Sequence, residues 1–512
     1  MNRTFYVTTP IYYVNGAPHL GHAYTSTAAD VLARFKRLDG YDVFFLTGTD
    51  EHGQKVEAAA RAAGVPPQVF TDRVAADFQD MAKRMNISND DFIRTTEPRH
   101  KRAAQAIWQK LVAAGAIYLD KYEGWYSVRD EAFYDEDETL VRGDGVRIAI
   151  ASGAPVEWVV ESSYFFKLSA FQDKLLAYYE AHPGFIAPNA KRNEILSFVK
   201  GGLNDLSISR TSFSWGIPVP GDPAHVMYVW LDALVNYLTA CGYPDEGDPK
   251  FKYWPANVHI VGKEIIRFHA VYWPAFLMAA GLPIPEKVYS HGWWTVEGEK
   301  MSKSLGNFID VRPLVDEFGL DPVRFFLLRE VPFGGDGDFS RKALISRLNV
   351  ELANDLGNLA QRTLSFIAKN AGGVVPARGP LHEADHDLLA IADALPHKVR
   401  TAIDRLAFNE ALEDIWKLIR AANAYIDHQA PWALRKTDTA RMGTVLRVLV
   451  DAIRTVALLL QPFMPGSMAA LLDQIGVAPD ARQLAALETP LPDGAALPPP
   501  SGIFPRYIEP AA

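Results

Sequence analysis

Val43-Phe44-Phe45-Leu46-Thr47-Gly48-Thr49-Asp50-Glu51-His52-Gly53, read with Phe5-Tyr6-Val7-Thr8-Thr9 upstream of it, decides the fold. An unbroken apolar run from Val43 to Leu46 suits a strand buried on both faces, and it ends in a polar, glycine-bounded turn. Between the two stretches, Ala29, Leu32, Ala33 and Phe35 recur at helical spacing within Tyr24 to Leu38, and Gly40 stops the helix. Strand, helix and strand make a βαβ unit of a parallel sheet. Ligands of such sheets sit beyond the carboxyl ends of the strands. Two polar turns fall at that edge, His19-Leu20-Gly21-His22 and Gly48 to Gly53.

Further along, helical segments continue to about Ala114, and then Ile117 to Pro223 becomes rich in short β-like runs, turns and acidic residues. That section reads as an insertion. Parallel-sheet character resumes with Met227-Tyr228-Val229-Trp230, Val258 to Gly262 and Val288 to Gly292. From Arg341 onward the pattern is helical, with Leu344, Leu348, Leu352, Leu356 and Leu359 keeping one face apolar. Beyond Pro465 a Pro/Ala-rich tail is expected to pack loosely. The expected class is α/β: a Rossmann-like parallel-sheet domain split by an inserted α+β domain, followed by an all-α helix bundle. The divisions are residues 1–116 and 224–295 for the two halves of the sheet domain, 117–223 for the insertion, 296–345 for a connecting region, 346–465 for the bundle and 466–512 for the tail.

The 512 residues give room for two to four domains. No apolar run is long enough to span a bilayer, the strongest, Val448 to Leu460, being interrupted by Asp451 and Arg454. The first residues already read as a strand rather than a targeting peptide, so a cytoplasmic protein is expected. A single cysteine, Cys241, excludes an intramolecular disulfide and any cysteine-cluster zinc site. The net charge of -9 argues against indiscriminate coating of nucleic acid, so any RNA contact must be local.

The chemistry is carried by a pair of motifs. Lys300-Met301-Ser302-Lys303-Ser304 lies in a loop bounded by Gly298 and Gly306, far from the two histidines of His19 to His22. An exact copy of the lysine pentapeptide arises by chance with odds on the order of 10^-4, and a loose H-x-G-H with odds on the order of 10^-2. Together they read as an ATP site split between distant segments, with His19, His22, Lys300 and Lys303 donating to the polyphosphate and Gly21 allowing close approach. A turn whose histidines only cap a helix is the bland alternative for the first motif. Near the strand ends, Trp230, Ala233 or Leu234 and Tyr237 share a helical face, as do Phe268, His269 and Trp273. With Ile11, Tyr13 and Asp50 they would line an aromatic pocket suited to an unbranched thioether, although an aromatic stripe is commonly plain core.

The two motifs resemble the signatures of class I aminoacyl-tRNA synthetases. Thr9 to Gly16, Gly48 to Gly53, Val229-Trp230-Leu231-Asp232-Ala233, Gly262 to His269 and Gln429-Ala430-Pro431-Trp432 narrow the resemblance to the methionyl-tRNA synthetases, up to about Pro465. The resemblance implies an enzyme that joins L-methionine to tRNA(Met). Asp50 would hold the α-ammonium, with Ile11 and Tyr13 closing one side of the pocket. Trp230, Ala233, Leu234, Tyr237, Phe268, His269 and Trp273 would line the thioether side, with Tyr237 and His269 supplying hydrogen bonds near sulfur. Gly262 and Glu264 would meet the adenosine of ATP, which enters with Mg2+, and Arg210 lies in a segment near the active site. In the bundle, Asn358, Arg362 and Trp432 would read the anticodon.

One departure is plain: many relatives carry four-cysteine zinc knuckles in the insertion, and this chain has no cysteine there. It resembles the zinc-free single-knuckle form, so no zinc is expected, and the acidic run Asp135 to Glu138 reads as a solvated turn. Synthetases for isoleucine, valine and leucine need a larger insertion for editing, and the cysteinyl enzymes need a zinc ligand set. A smaller H-x-G-H nucleotidyltransferase would need neither the pentapeptide nor a bundle. A catalytically idle relative serving as an RNA-binding module is the alternative of another class, against which the intact motif residues count. The chain stops too soon after the bundle for an extra dimerisation domain, so a monomer is expected.

Overall fold

The computed structural model describes residues 3–130, 132–296, 298–300 and 308–509, and for Lys300 it describes the backbone alone. Strands β1 (Thr4–Tyr13) and β2 (Asp42–Asp50) flank helix α1 (Leu20–Leu38) as the βαβ reading requires, and β3 (Asp91–Arg94) follows beside β2. They belong to a six-stranded parallel sheet in the order β3, β2, β1, Val258–Gly262, Val288–His291, Ile186–Ala187. The chain order reverses between β1 and Val258–Gly262, which opens a crevice at their carboxyl ends. Both faces of the sheet are covered. Val43 and Phe45 enter one core, with α1 and the bundle, while Phe44 and Leu46 enter the other, with Trp108, Tyr237 and Trp273.

The insertion is built on a long antiparallel pair, Ile117–Ser127 with Glu157–Phe166. It differs from expectation at its end, because Ile186–Ala187 returns to the main sheet as an edge strand well before Pro223. The expected strand Met227 to Trp230 is also absent from that sheet. Asp222–Met227 pairs antiparallel with Ser209–Arg210 and Pro218–Val219, and Val229–Leu234 is a helix. A four-residue apolar run fits either state, and here it is divided, Met227 ending a strand and Val229 beginning the helix.

The bundle follows the leucine pattern. Leu344, Leu348, Leu352, Leu356 and Leu359 are all buried along one continuous helical rod, Arg341–Arg347, Leu348–Gly357 and Asn358–Asn370. Steps of four drift around a 3.6-residue turn. The middle section winds more widely, in i→i+5 fashion, and keeps the leucines facing Trp416 and Leu418 in the same core. The tail is anchored rather than loose: Leu484, Leu491 and Phe504 are buried, and the buried Arg447 binds the Leu491 carbonyl and Asp493. Its prolines read as loose packing, but a proline-rich chain needs only periodic apolar anchors to stay bound. Arg324 closes the seam between the domains, bonding to the carbonyls of Met85, Pro462 and Phe463 and to Asp30 of α1. No described helix is long and apolar enough to cross a membrane.

Candidate active site

His19 caps α1 with its side chain, its Nδ1 accepting from the Gly21 N–H at 3.0 Å, while His22 Nδ1 accepts from the His19 N–H at 3.1 Å. The capping role is therefore real, and it fixes the tautomer of both rings. With Nδ1 of each neutral ring accepting, the remaining proton sits on Nε2, so both histidines offer an N–H donor. Burial, and then the neighbouring His19, push His22 well below its usual pKa and keep it neutral. The rings stack at 3.9 Å. Gly21 has a structural reason as well: a Cβ there would lie 2.9 Å from His19 Cε1, so the glycine makes room for the capping ring.

The histidines open onto a cavity of 590 Å³ at the sheet's carboxyl edge. Ile11, Tyr13, Asp50, Trp230, Ala233, Leu234, Tyr237 and His269 line it, together with Gly21, Gly262 and Glu264. Phe268 and Trp273 stand one layer back. Phe268 stacks on Trp230 with ring centroids 3.4 Å apart, and the fully buried Trp273 packs edge to face on Trp254 and near Tyr237. Arg210 is off the cavity, buried in the side sheet against Ser207, Ser209 and Tyr228.

The polar pair at the aromatic end is engaged internally. His269 Nδ1 donates to the Ile265 carbonyl at 3.0 Å, so its Nε2 accepts the Tyr237 hydroxyl proton at 2.7 Å. Burial pulls His269 down to about 4, fixing the neutral ring that this arrangement needs. The hydroxyl proton expected near sulfur is thus held by His269, and the pocket presents aromatic faces and ring edges. Behind the wall lies a buried cluster that the motifs did not reveal. Asp232 accepts from His52 Nδ1 at 2.6 Å and His100 Nε2 at 2.7 Å. Burial would raise the Asp232 pKa, but the two imidazoles outweigh it and hold the carboxyl at about 2.

Around Glu264, Trp293 donates its indole N–H to the carboxylate at 2.6 Å, and Lys263 spans the Trp293 ring and Asp336. Trp293, Trp294, Thr25 and His291 also line the cavity, as Arg129 and Asp130 do from the insertion. Sequence reading missed all six, because none belongs to a dense motif. The lysine loop leaves through Trp294–Val296 and Glu299–Lys300, paired antiparallel about Gly298 at φ 76°. It returns at Phe308, whose ring meets His19 at 5.6 Å, and at Ile309, whose carbonyl accepts from Leu20 N–H at 2.9 Å. Both anchors therefore lie at the cavity rim. Lys303 and the Lys300 side chain lie outside the described residues.

In the bundle, Trp432 is 43% exposed, and the Arg362 guanidinium sits 5.6 Å from its ring centre while binding Asp427. Asn358 is exposed one helical turn from Arg362. Ala430, in the left-handed region at φ 44°, ends Phe408–Gln429 and lets Pro431 start the next helix, which turns Trp432 outward. Arg441 braces this corner by binding Gln429 and the buried Asp385. Among the described residues, no group of three or more His, Cys, Asp or Glu is placed to hold a metal. The run Asp135 to Glu138 forms a short capped turn, with Glu136 engaged by Trp125 and Arg147.

The family model for class I tRNA synthetases (M) matches residues 5–144 and 146–364, and that for the anticodon binding domain of methionyl tRNA ligase matches residues 375–510. The methionine--tRNA ligase of Brucella suis is 58% identical over 99% of this chain and 98% of its own length. A Mycobacterium tuberculosis methionyl-tRNA synthetase solved in complex with methionyl-adenylate superposes with a TM-score of 0.96 at 55% identity, covering 98% of this chain and all of that one. The free form from the same organism gives 0.91 at 51% identity, covering 100% of this chain and 99% of that one. With both family models matched in order along its length, the chain belongs to the class I methionyl-tRNA synthetases.

Proposed function

We propose that this methionine–tRNA ligase divides its labour between one cavity at the sheet edge and one exposed platform on the bundle. Methionine occupies the aromatic end of the cavity, with its α-ammonium at Asp50 and its thioether among Trp230, Ala233, Leu234 and Tyr237, with Ile11 and Tyr13 closing the side. Phe268, His269 and Trp273 hold those rings in place. ATP, taken as its Mg2+ complex, lies between Gly21, Gly262 and Glu264, with the Nε2–H groups of His19 and His22 facing its phosphates.

The methionine carboxylate attacks the α-phosphorus, a new P–O bond forms, and the bond to pyrophosphate breaks. No protein nucleophile is needed. Negative charge grows on the transferring group and on pyrophosphate, and fixed donors from the histidines, Lys300 and Lys303 stabilise it. The 2′-hydroxyl of the terminal adenosine of tRNA(Met) then attacks the acyl carbon and releases AMP. Asn358, Arg362 and Trp432 read the anticodon, the tryptophan by stacking.

The observation that carries this reading is that residues drawn from five separate motifs line a single 590 Å³ cavity whose rim receives both ends of the lysine loop. Amino-acid-dependent ATP–pyrophosphate exchange across all twenty amino acids tests it. Exchange with methionine far above the other nineteen is expected, and exchange with none of them would reduce the chain to an RNA-binding module.

A further inference from the structure

The buried His52–Asp232–His100 cluster lies outside the proposed chemistry, yet it joins two parts of the methionine pocket. His52 is two residues beyond Asp50 in the turn that ends β2. Asp232 sits on Val229–Leu234, the helix that brings Trp230, Ala233 and Leu234 to the cavity. His100 comes from the helix Pro98–Ala113 and reaches Thr239 as well at 3.1 Å. All three members of the cluster are buried. A buried carboxylate is costly unless it is fully hydrogen-bonded, and this one is bonded through both oxygens. An apolar residue would pack that helix as well. What the carboxylate adds is a fixed distance between the turn and the helix.

The same turn is fastened on its other sides. Trp215 donates to the Glu51 carbonyl at 2.6 Å, its own carbonyl accepts from Gly53 N–H at 3.0 Å, and its ring meets His52 edge to face. Arg94 and Thr96 hold the Glu51 carboxylate. Those contacts tie the turn to β3 and the insertion. The His52–Asp232 bond ties it to the helix that carries Trp230, Ala233 and Leu234.

We propose that Asp232, through His52 and His100, is a positioning residue that sets the span of the methionine pocket from the ammonium-binding Asp50 to the wall formed by Trp230, Ala233 and Leu234. It touches no substrate. Its effect is on the length of amino acid accepted, because a loosened helix admits a longer side chain as readily as it holds methionine. The inference rests on the proposed role of Asp50.

Asp232→Asn keeps the shape and removes the charge. In pyrophosphate exchange its KM for methionine should rise about tenfold, with the KM for ATP within about twofold of the parent, as expected for a misplaced anchor at one end of the cavity. Ethionine, one methylene longer, should gain on methionine in kcat/KM. A role in folding alone would lower thermal stability and leave both the ethionine ratio and the methionine KM unchanged, and that result overturns the inference. If Asp232→Asn does not fold, His100→Gln carries the test on the same readouts, with a smaller rise expected. Asp50→Asn separates the two levels. A raised methionine KM in that variant with no change in Asp232→Asn leaves the site reading standing and the positioning role refuted, whereas an unchanged KM in Asp50→Asn refutes both.

Discussion

At the proposed catalytic cavity Tyr237 bonds to His269, and behind the wall Asp232 bonds to His52 and His100, whereas at the bundle Trp432 stands 43% exposed beside an Arg362 held by a surface carboxylate. The contrast follows from ligand size. A methionine side chain has few atoms, so selectivity requires a dry, prefixed cavity in which each misfit leaves a gap or an unpaired group. An anticodon loop is large and must be opened, so stacking faces and accessible donors on a rigid corner suffice. The two domains meet at Arg324, which bonds to Asp30 of the histidine-bearing helix and to carbonyls that follow the bundle helix Thr439–Leu460.

Damage to the enclosed site should appear in the first chemical step. Lys303→Ala removes a phosphate donor and should slow pyrophosphate exchange by about 10^2–10^3-fold while leaving methionine binding nearly intact. Equal loss of both would show that the lysine supports the pocket rather than the transferring phosphate. Trp230→Ala should raise the methionine KM by about ten- to a hundredfold, because it deletes both a cavity wall and the face on which Phe268 stacks. Titration of methionine in exchange assays reads it directly.

At the seam, Arg324→Met leaves Asp30 with Arg34 as its remaining ion-pair partner and removes the donor from three carbonyls, so stability should fall by about 3–5 kcal/mol in a denaturant titration. The smallest effect is in pH. His269 binds its proton near 6.5 when unfolded and at about 4 when buried, so the unfolded chain takes up more protons between those values. The stabilisation from the neutral ring is complete above pH 6.5 and is lost as pH falls towards about 4. The methionine KM should therefore stay within about twofold from pH 8 to pH 5; a break near 6.5 would mean that His269 is not the acceptor of Tyr237.

The βαβ start and the motif residues were legible because each motif packs several chemically unusual residues into a few positions, and a parallel sheet sends its strand ends to one edge. Trp293, Arg129 and the Asp232 cluster were not. Asp232 carries no signal in sequence, since a buried carboxylate and a surface one read alike until the fold supplies His52 and His100. Met227 to Trp230 misled for the opposite reason, being apolar enough for a strand while its neighbours were already set for a helix. Leu348 to Gly357 was legible as a buried face, but its wider winding was not, because four-residue spacing is also tolerated by an ordinary helix over two turns.

The separation of the two sites is most directly tested on Trp432→Ala, assayed for both pyrophosphate exchange and charging of tRNA(Met). Exchange within about twofold of the parent with charging reduced about 5- to 150-fold is the expected result, since one stacked base contributes about 1–3 kcal/mol and the anticodon loses its platform. A parallel fall of both activities would contradict the account, placing Trp432 in the support of the catalytic cavity instead of on a separate RNA-binding surface.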